Sequence, residues 1–186
     1  MALGASFGDV LAGARAGAPS AFEAIYRDLA PAVLGYLRGQ GAAEPEDLAS
    51  EVFVGIVRGL DRFRGDEGAF RTWVFAIAHR RLIDERRRLS RRREELTDPA
   101  DLGGLMEKAV VPDAETEALG TLGAGVGNAL RALSVDQRAC LLLRVLADLS
   151  VAEVAAILGK SEGAVKTLQR RALRSLVREL EREGVS

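Results

Sequence analysis

The chain has 186 residues, 48% of them hydrophobic, five prolines and a formal net charge of -1, which suits one folded domain or two small ones and argues against a disordered chain. Cys140 is the only cysteine, so neither a disulfide framework nor a cysteine metal site can form within the chain, and a reducing compartment follows. The first twenty residues lack the basic start and apolar core of a signal peptide, and no apolar run approaches the roughly twenty residues of a membrane span, so a cytoplasmic protein is expected.

Helical spacing recurs throughout and alternating strand patterns are not evident, so the expected fold is all-α. Ser20 and Glu23 form a capping-box pattern after Pro19, and Phe22, Ile25, Tyr26 and Leu29 make an apolar stripe. Pro31 is expected to interrupt that helix, with Val33, Leu34 and Leu37 continuing in a second segment ending near Gly39 and Gly41. Pro45, Glu46 and Asp47 open the next helix with a rigid, acidic first turn. Leu48, Val52, Phe53, Ile56, Val57 and Leu60 supply its buried side, while Asp47, Glu51 and Val54 lie opposite, beside Ser50 and Gly55.

After the turn-forming stretch Asp61 to Gly68 comes the helix from Phe70 to Arg93. Phe70, Trp73, Val74, Ile77, Ala78 and Leu82 recur at steps of three or four and form its buried stripe. Residues 80–93 hold eight arginines against two acids, Asp84 and Glu85. That surplus attracts phosphate oxygens, with the arginines from Arg86 onward as the grip. His79, the only histidine, sits beside these arginines and has none of the surroundings a catalytic base needs. Between Glu94 and Leu130 the sign reverses to eight acids against Lys108, with Asp98-Pro99, Gly103-Gly104 and Pro112. This composition reads as a flexible acidic linker.

Helical spacing resumes at Leu119, Leu122, Val126, Leu130 and Leu133, although glycines at 120, 123, 125 and 127 weaken that helix. Ser134 with Gln137 and Ser150 with Glu153 are capping boxes, and Ser161 caps a third helix. The expected helices are Val135 to Ala147, Val151 to Leu158, and Glu162 to about Arg182. The last two, joined by a Gly-containing turn, have helix-turn-helix form, with Val154, Leu158, Val165 and Leu168 closing the small core between them. In that motif the second helix enters the major groove. Glu162, Lys166, Thr167 and Arg170 are then the base-reading candidates, and Arg171 and Arg174 sit better for phosphates.

Together these stretches resemble the sigma-70 family of bacterial RNA polymerase sigma factors, specifically the small extracytoplasmic-function (ECF) group that has only regions two and four. EDLASEVFVGI (Glu46 to Ile56) is similar to region 2.2. The stretch FRGDEGAFRTWVFAIAHRRLIDERRR (Phe63 to Arg88) resembles regions 2.3 and 2.4. Leu133 to Leu176 resembles region four. The resemblance implies a transcription initiation factor, not an enzyme, without cofactor or metal. Residues 1–95 would bind core RNA polymerase and the minus-ten element, 96–118 would be the linker, and 119–186 would bind the minus-35 element of promoter DNA. Asp47, Leu48, Glu51, Val54 and Ile56 would dock on the polymerase clamp helices. Arg64, Arg71, Thr72, His79, Arg80, Arg86 and Arg87 would take the minus-ten element, including a base flipped from the stack. An anti-sigma factor is an expected further partner. The linker would either shield the basic helix or thread a positive polymerase channel.

Three departures from the family pattern stand out. Ser50 replaces a frequent Gln, which bears on the polar part of the polymerase contact. Arg80 replaces a frequent Asn, which bears on base choice in the minus-ten element. Leu168-Gln169 changes the usual order and leaves open whether Gln169 or Arg170 faces DNA. On the residues alone, a helix-turn-helix regulator acting without polymerase is the alternative, and a helical protein whose basic run docks an acidic partner is another.

Overall fold

The computed structural model describes residues 6–96 and 124–182. The expected linker and the helical pattern from Leu119 to Leu122 lie outside them. No strand occurs among the described residues, and the helices form two groups. The first group holds α1 (Phe7–Arg15), α2 (Pro19–Gly39), α3 (Pro45–Gly59) and α4 (Glu67–Leu96). The second holds α5 (Ala124–Arg131), α6 (Val135–Val145), α7 (Val151–Leu158) and α8 (Glu162–Arg182).

Helix α1 is not anticipated by the sequence, because Phe7, Leu11 and Ala14 are its buried positions and glycines interrupt them. Tertiary contacts hold it in place. Phe7 packs on Phe70 with ring centroids 5.5 Å apart, and the Arg15 guanidinium donates to the Leu60 and Phe63 carbonyls at 3.3 and 2.6 Å.

Helix α2 corrects two expectations. It starts at Pro19 with Ala18 as the N-cap and no side-chain cap bond, so Ser20 and Glu23 both lie inside the helix and do not bracket its start. It also runs unbroken through Pro31. A proline in a helix interior costs about 3 kcal/mol, but Ile25, Leu29, Val33, Tyr36 and Leu37 bury completely or nearly so on both sides of it, at about 1.5–3 kcal/mol each. Pro31 itself is exposed, on the side where water can serve the carbonyl it leaves unpaired.

In α3 the buried positions are Leu48, Ala49, Val52 and Ile56. Val57, expected inside, is 52% exposed, as is Val126 of α5 at 51%. Helix α4 is capped by Asp66, whose Oδ1 accepts from the Ala69 amide at 2.8 Å. It buries Phe70, Val74, Ala78 and Leu82 at four-residue spacing, with Phe75 beside them. Phe63, Phe70 and Trp73 stack into one cluster with centroids 5.1 to 5.6 Å apart. Gly59 makes room for it, because a Cβ there would stand 2.6 Å from Trp73 Cζ2.

Both expected capping boxes in the second group are formed, at Ser134 with Gln137 and at Ser150 with Glu153. Helix α6 stops at Val145, two residues before the expected end. Gly159 ends α7 in the left-handed region at φ 62°, a conformation that costs glycine nothing. The Ser161 hydroxyl then accepts from the Ala164 amide at 3.3 Å. Val154 and Val165 are fully buried where α7 meets α8, with Leu158 and Leu168 packed against them.

The two groups share one continuous core. Helix α6 lies on α2, where Leu142 and Leu146 cover Gly39 and Gly35. Helix α7 lies on α4, where Ala156 and Ile157 face Trp73 and Ala76 across an apolar crevice of about 400 Å³.

Candidate nucleic-acid interface

The outward row of α8 follows from which residues it buries. Val165 and Ala172 are buried and Leu168 is partly so, which turns Glu162, Gly163, Lys166, Arg170, Arg171 and Arg174 to solvent. Arg170 is exposed and Gln169 half-buried, so Arg170 is the more outward of the two. Thr167 is half-exposed, and its hydroxyl donates to the Gly163 carbonyl at 2.9 Å. That leaves a hydroxyl lone pair and the methyl group for a ligand. Arg178, not singled out from the sequence, lines a groove with Gln137, Arg171, Arg174, Leu173 and Val177. Its four-residue spacing from Arg174 is the signal that could have found it.

The minus-ten candidates divide into two classes. Arg64, Arg80 and Arg87 are exposed, although Arg64 curls back to donate to the Asp61 and Phe63 carbonyls at 2.6 and 2.7 Å. Arg87 pairs loosely with Asp84 at 3.9 Å. The other four are engaged within the protein. Arg71 pairs with Asp28 at 3.5 Å, the two side chains 18% and 8% exposed, which ties α4 to α2. Arg86 donates to the carbonyl and the side-chain oxygen of Gln40. It is therefore a brace between helices in this arrangement, contrary to its expected place at the start of the phosphate grip. Thr72 has its hydroxyl 3.0 Å from the Gly68 carbonyl and 2.6 Å from Glu153 Oε1.

His79 is the fourth, and the structure corrects its expected exposure, since it is half-buried with Nδ1 2.7 Å from the Tyr36 hydroxyl. Burial, aided by the nearby Arg86 charge and opposed by Asp136, pulls the imidazole below its ordinary value. Burial pushes the Tyr36 phenol up. Both groups are therefore neutral near pH 7. If Nδ1 carried the proton, the phenol hydrogen would have no partner, so the phenol donates to Nδ1 and the imidazole proton resides on Nε2.

On α3, Asp47, Glu51 and Val54 are exposed, whereas Leu48 at 3% and Ile56 at 2% belong to the core. Direct docking by Leu48 and Ile56 is thereby corrected: both anchor the helix from inside. Tyr26 stacks on Phe53 with centroids 4.6 Å apart, and Tyr26, Val54 and Val57 are exposed large apolar side chains that the sequence does not single out together. Ser50 spends its hydroxyl on the Glu46 carbonyl at 3.0 Å.

Among the described residues no group of three or more His, Cys, Asp and Glu side chains is placed to hold a metal ion. Cys140 is buried with its thiol on the Val165 carbonyl at 3.6 Å, and burial pushes that thiol up. No helix among the described residues is long and apolar enough to cross a membrane.

Comparison with known proteins matches residues 25–92 to the family model for sigma-70 region 2 and residues 125–176 to that for sigma-70 region 4. The ECF RNA polymerase sigma factor BldN of Streptomyces coelicolor is 38% identical over 167 residues, covering 89% of this chain, which spans 62% of that protein's length. ShbA of Streptomyces griseus, also an ECF RNA polymerase sigma factor, is 33% identical over 77% of this chain and 75% of its own. SigD of Mycobacterium tuberculosis, another ECF sigma factor, is 31% identical over 94% and 84%. Among solved structures, CnrH in complex with the cytosolic domain of CnrY superposes with a TM-score of 0.64 at 24% identity, over 95% of this chain and 97% of that one. The sigma factor RpoE of Bartonella quintana, in complex with the anti-sigma factor NepR, gives 0.60 at 22% identity over 86% and 98%. These two likenesses show the shared fold.

Proposed function

Since the chain belongs to the sigma-70 family, among its ECF RNA polymerase sigma factors, we propose that it directs core RNA polymerase to chosen promoters and assists their opening. It acts by binding, not by catalysis. The first domain, α1 to α4, docks on polymerase through Asp47, Glu51 and Val54 and takes the minus-ten element on α4 and the loop before it. The second reads the minus-35 element through Glu162, Lys166, Thr167 and Arg170. An anti-sigma factor holds it inactive until released.

The observation that carries this reading is the outward row of α8. Glu162, Lys166 and Arg170 stand four residues apart on the exposed side of a helix whose Val165 is locked into the helix-turn-helix core. Four residues on a helix return to nearly the same face about 6 Å further along. That row suits successive base edges, with Lys166 and Arg170 donating to guanine and Glu162 accepting from cytosine.

Runoff transcription from a genomic promoter library, with purified core polymerase and this protein, tests the reading. New start sites should appear and the protein should co-purify with core. No new start site, together with no association, refutes it. Binding to a duplex half-site without association to core would favour a regulator acting alone.

A further inference from the structure

Resting on that reading, we propose that Arg15 of α1 is a positioning residue for base selection at the minus-ten element. It holds the loop between α3 and α4 in the shape that presents Arg64 to DNA, and does not touch DNA itself. The loop leaves α3 at Gly59 and enters α4 at Glu67. Its Arg62 amide donates to the Gly59 carbonyl at 3.0 Å, and its Phe63 amide lies 3.2 Å from the Gly59 and Leu60 carbonyls. Guanidinium groups serve the carbonyls that face the other way. Arg15, 45 and 48 residues distant in sequence, donates from Nε to the Leu60 carbonyl at 3.3 Å and from Nη2 to the Phe63 carbonyl at 2.6 Å. Arg64 Nη1 reaches the same Phe63 oxygen at 2.7 Å and the Asp61 carbonyl at 2.6 Å. Two guanidinium groups thus meet on one carbonyl oxygen, which has a lone pair for each.

The shared oxygen divides the work of the two arginines. To reach a base or a phosphate, Arg64 must give up both carbonyls. Asp61 is exposed, so water replaces Arg64 there. Phe63 is 8% exposed, its ring packed on Phe70 and Trp73, and a carbonyl stripped of its donor in such a place costs free energy. Arg15 stays on the Phe63 oxygen and keeps it paired. It therefore lowers the cost of releasing Arg64 and holds the backbone still while Arg64 is away.

The far end of the loop is fixed independently. Asp66 Oδ1 accepts from the Ala69 amide at 2.8 Å, and Gly65 stands at φ 151°, where a Cβ would lie 2.8 Å from Ala69 Cβ. Losing Arg15 would free the middle of the loop and leave this end in place. A side chain that selects among bases must be held to within about 0.5 Å, so the looser loop loses choice before it loses affinity.

Three variants of the full chain test this. Arg15→Met keeps the aliphatic stem without a donor, Arg15→Lys can serve only one of the two carbonyls, and Arg64→Ala removes the presented side chain. Hydrogen exchange of residues 61–66 should be about twofold or more faster in Arg15→Met, with residues 25–37 of α2 unchanged and Arg15→Lys in between. Holoenzyme made with core polymerase then competes the best promoter of the runoff library against single-base changes across its minus-ten element. With Arg15→Met the preference should fall about fivefold or more at one position at least, with Arg15→Lys again in between and the salt slope unchanged. Adding Arg15→Met to Arg64→Ala should cost little further preference, because the first acts through the second. Unchanged exchange at residues 61–66 overturns the proposal. So do an equal loss at every minus-ten sequence, additive losses in the double variant, or a salt slope lowered by about one with preference intact, the mark of a direct phosphate contact. No start site with the wild type refutes the sigma-factor reading, whereas the exchange judges the hold of Arg15 on the loop by itself.

Discussion

Replacing Tyr36 by Phe removes one oxygen from the core and tests whether the imidazole of His79 is held as described. The Tyr36 ring is fully buried against Phe75, edge to face at 5.9 Å, and Phe keeps that packing, so the lost free energy belongs to the bond between the phenol and His79 Nδ1. A buried acceptor stripped of its donor costs about 1–3 kcal/mol. With His79 half-buried, the lower half of that range applies, about 1.5 kcal/mol at pH 7.5. At about 2–4 °C per kcal/mol for a unit of 150–250 residues, Tm should fall by about 3–6 °C. The pH dependence is the sharper part.

The pKa of His79 is lowered in the folded state from its ordinary 6.5, chiefly by burial and then by Arg86. The unfolded chain therefore binds the proton first. The stability owed to neutral His79 is complete above pH 6.5 and is lost as pH falls through the lower folded value. Once the imidazole is protonated, Nδ1 turns from acceptor into donor toward the phenol oxygen, so the cost of Tyr36→Phe should change over the range below pH 6.5 in which the folded imidazole takes up its proton. Urea unfolding of both proteins at pH 7.5 and over a pH series below 6.5, followed by circular dichroism, measures this. A cost below about 0.5 kcal/mol at pH 7.5, the level of an ordinary neutral substitution, or an equal cost across the whole series, refutes the assignment of the bond and its tautomer.

Lys166→Ala and Arg170→Ala should each reduce discrimination between promoter sequences by about 1–3 kcal/mol. Arg174→Ala should weaken binding to all sequences alike and lower the salt slope by about one; competition binding over a salt series distinguishes the two. Leu48→Ala should cost about 2–5 kcal/mol of stability. Val54→Ala should leave stability within about 0.5 kcal/mol and weaken association with core polymerase, as co-purification and thermal melts will show. Gly59→Ala should destabilise by about 1–3 kcal/mol despite the better helix propensity of alanine, because its Cβ would meet the rigid Trp73 ring at 2.6 Å. A thermal melt with a shift in Trp73 emission checks it.

What could be read from the sequence is what neighbours in sequence decide. Ser134 with Gln137 and Ser150 with Glu153 satisfy helix-end amides three residues away, and the structure forms both. The stripe of α4 and the Gly159 turn are equally local. The sequence misleads where a distant partner decides the outcome. Arg71 counts as one more free cation until Asp28, 43 residues away, is seen to pair with it. Thr72 reads as a surface hydroxyl until Glu153 approaches from 81 residues along the chain. Pro31 is a breaker by propensity, and only the five buried side chains around it explain why α2 continues. Leu48 and Ile56 fall on the buried side of α3 by periodicity and Val54 opposite, and it is the family resemblance that sets all three on one docking face. Which side of α3 is covered depends on α2 and α4 packing against it.

The basic half of α4 and its start meet the second domain differently. Arg80, Arg87 and Arg91 are exposed at offsets of seven and eleven residues, which on a helix of 3.6 residues per turn return to nearly the same face. At 1.5 Å per residue the row is about 16 Å long, close to the axial length of five base steps. None of these three is covered by the second domain, whereas Thr72, about two turns before Arg80, is bonded to Glu153. Counterion release at such a row depends on phosphates alone, so its charge would supply affinity for DNA without choosing a sequence, and discrimination would have to come from other side chains.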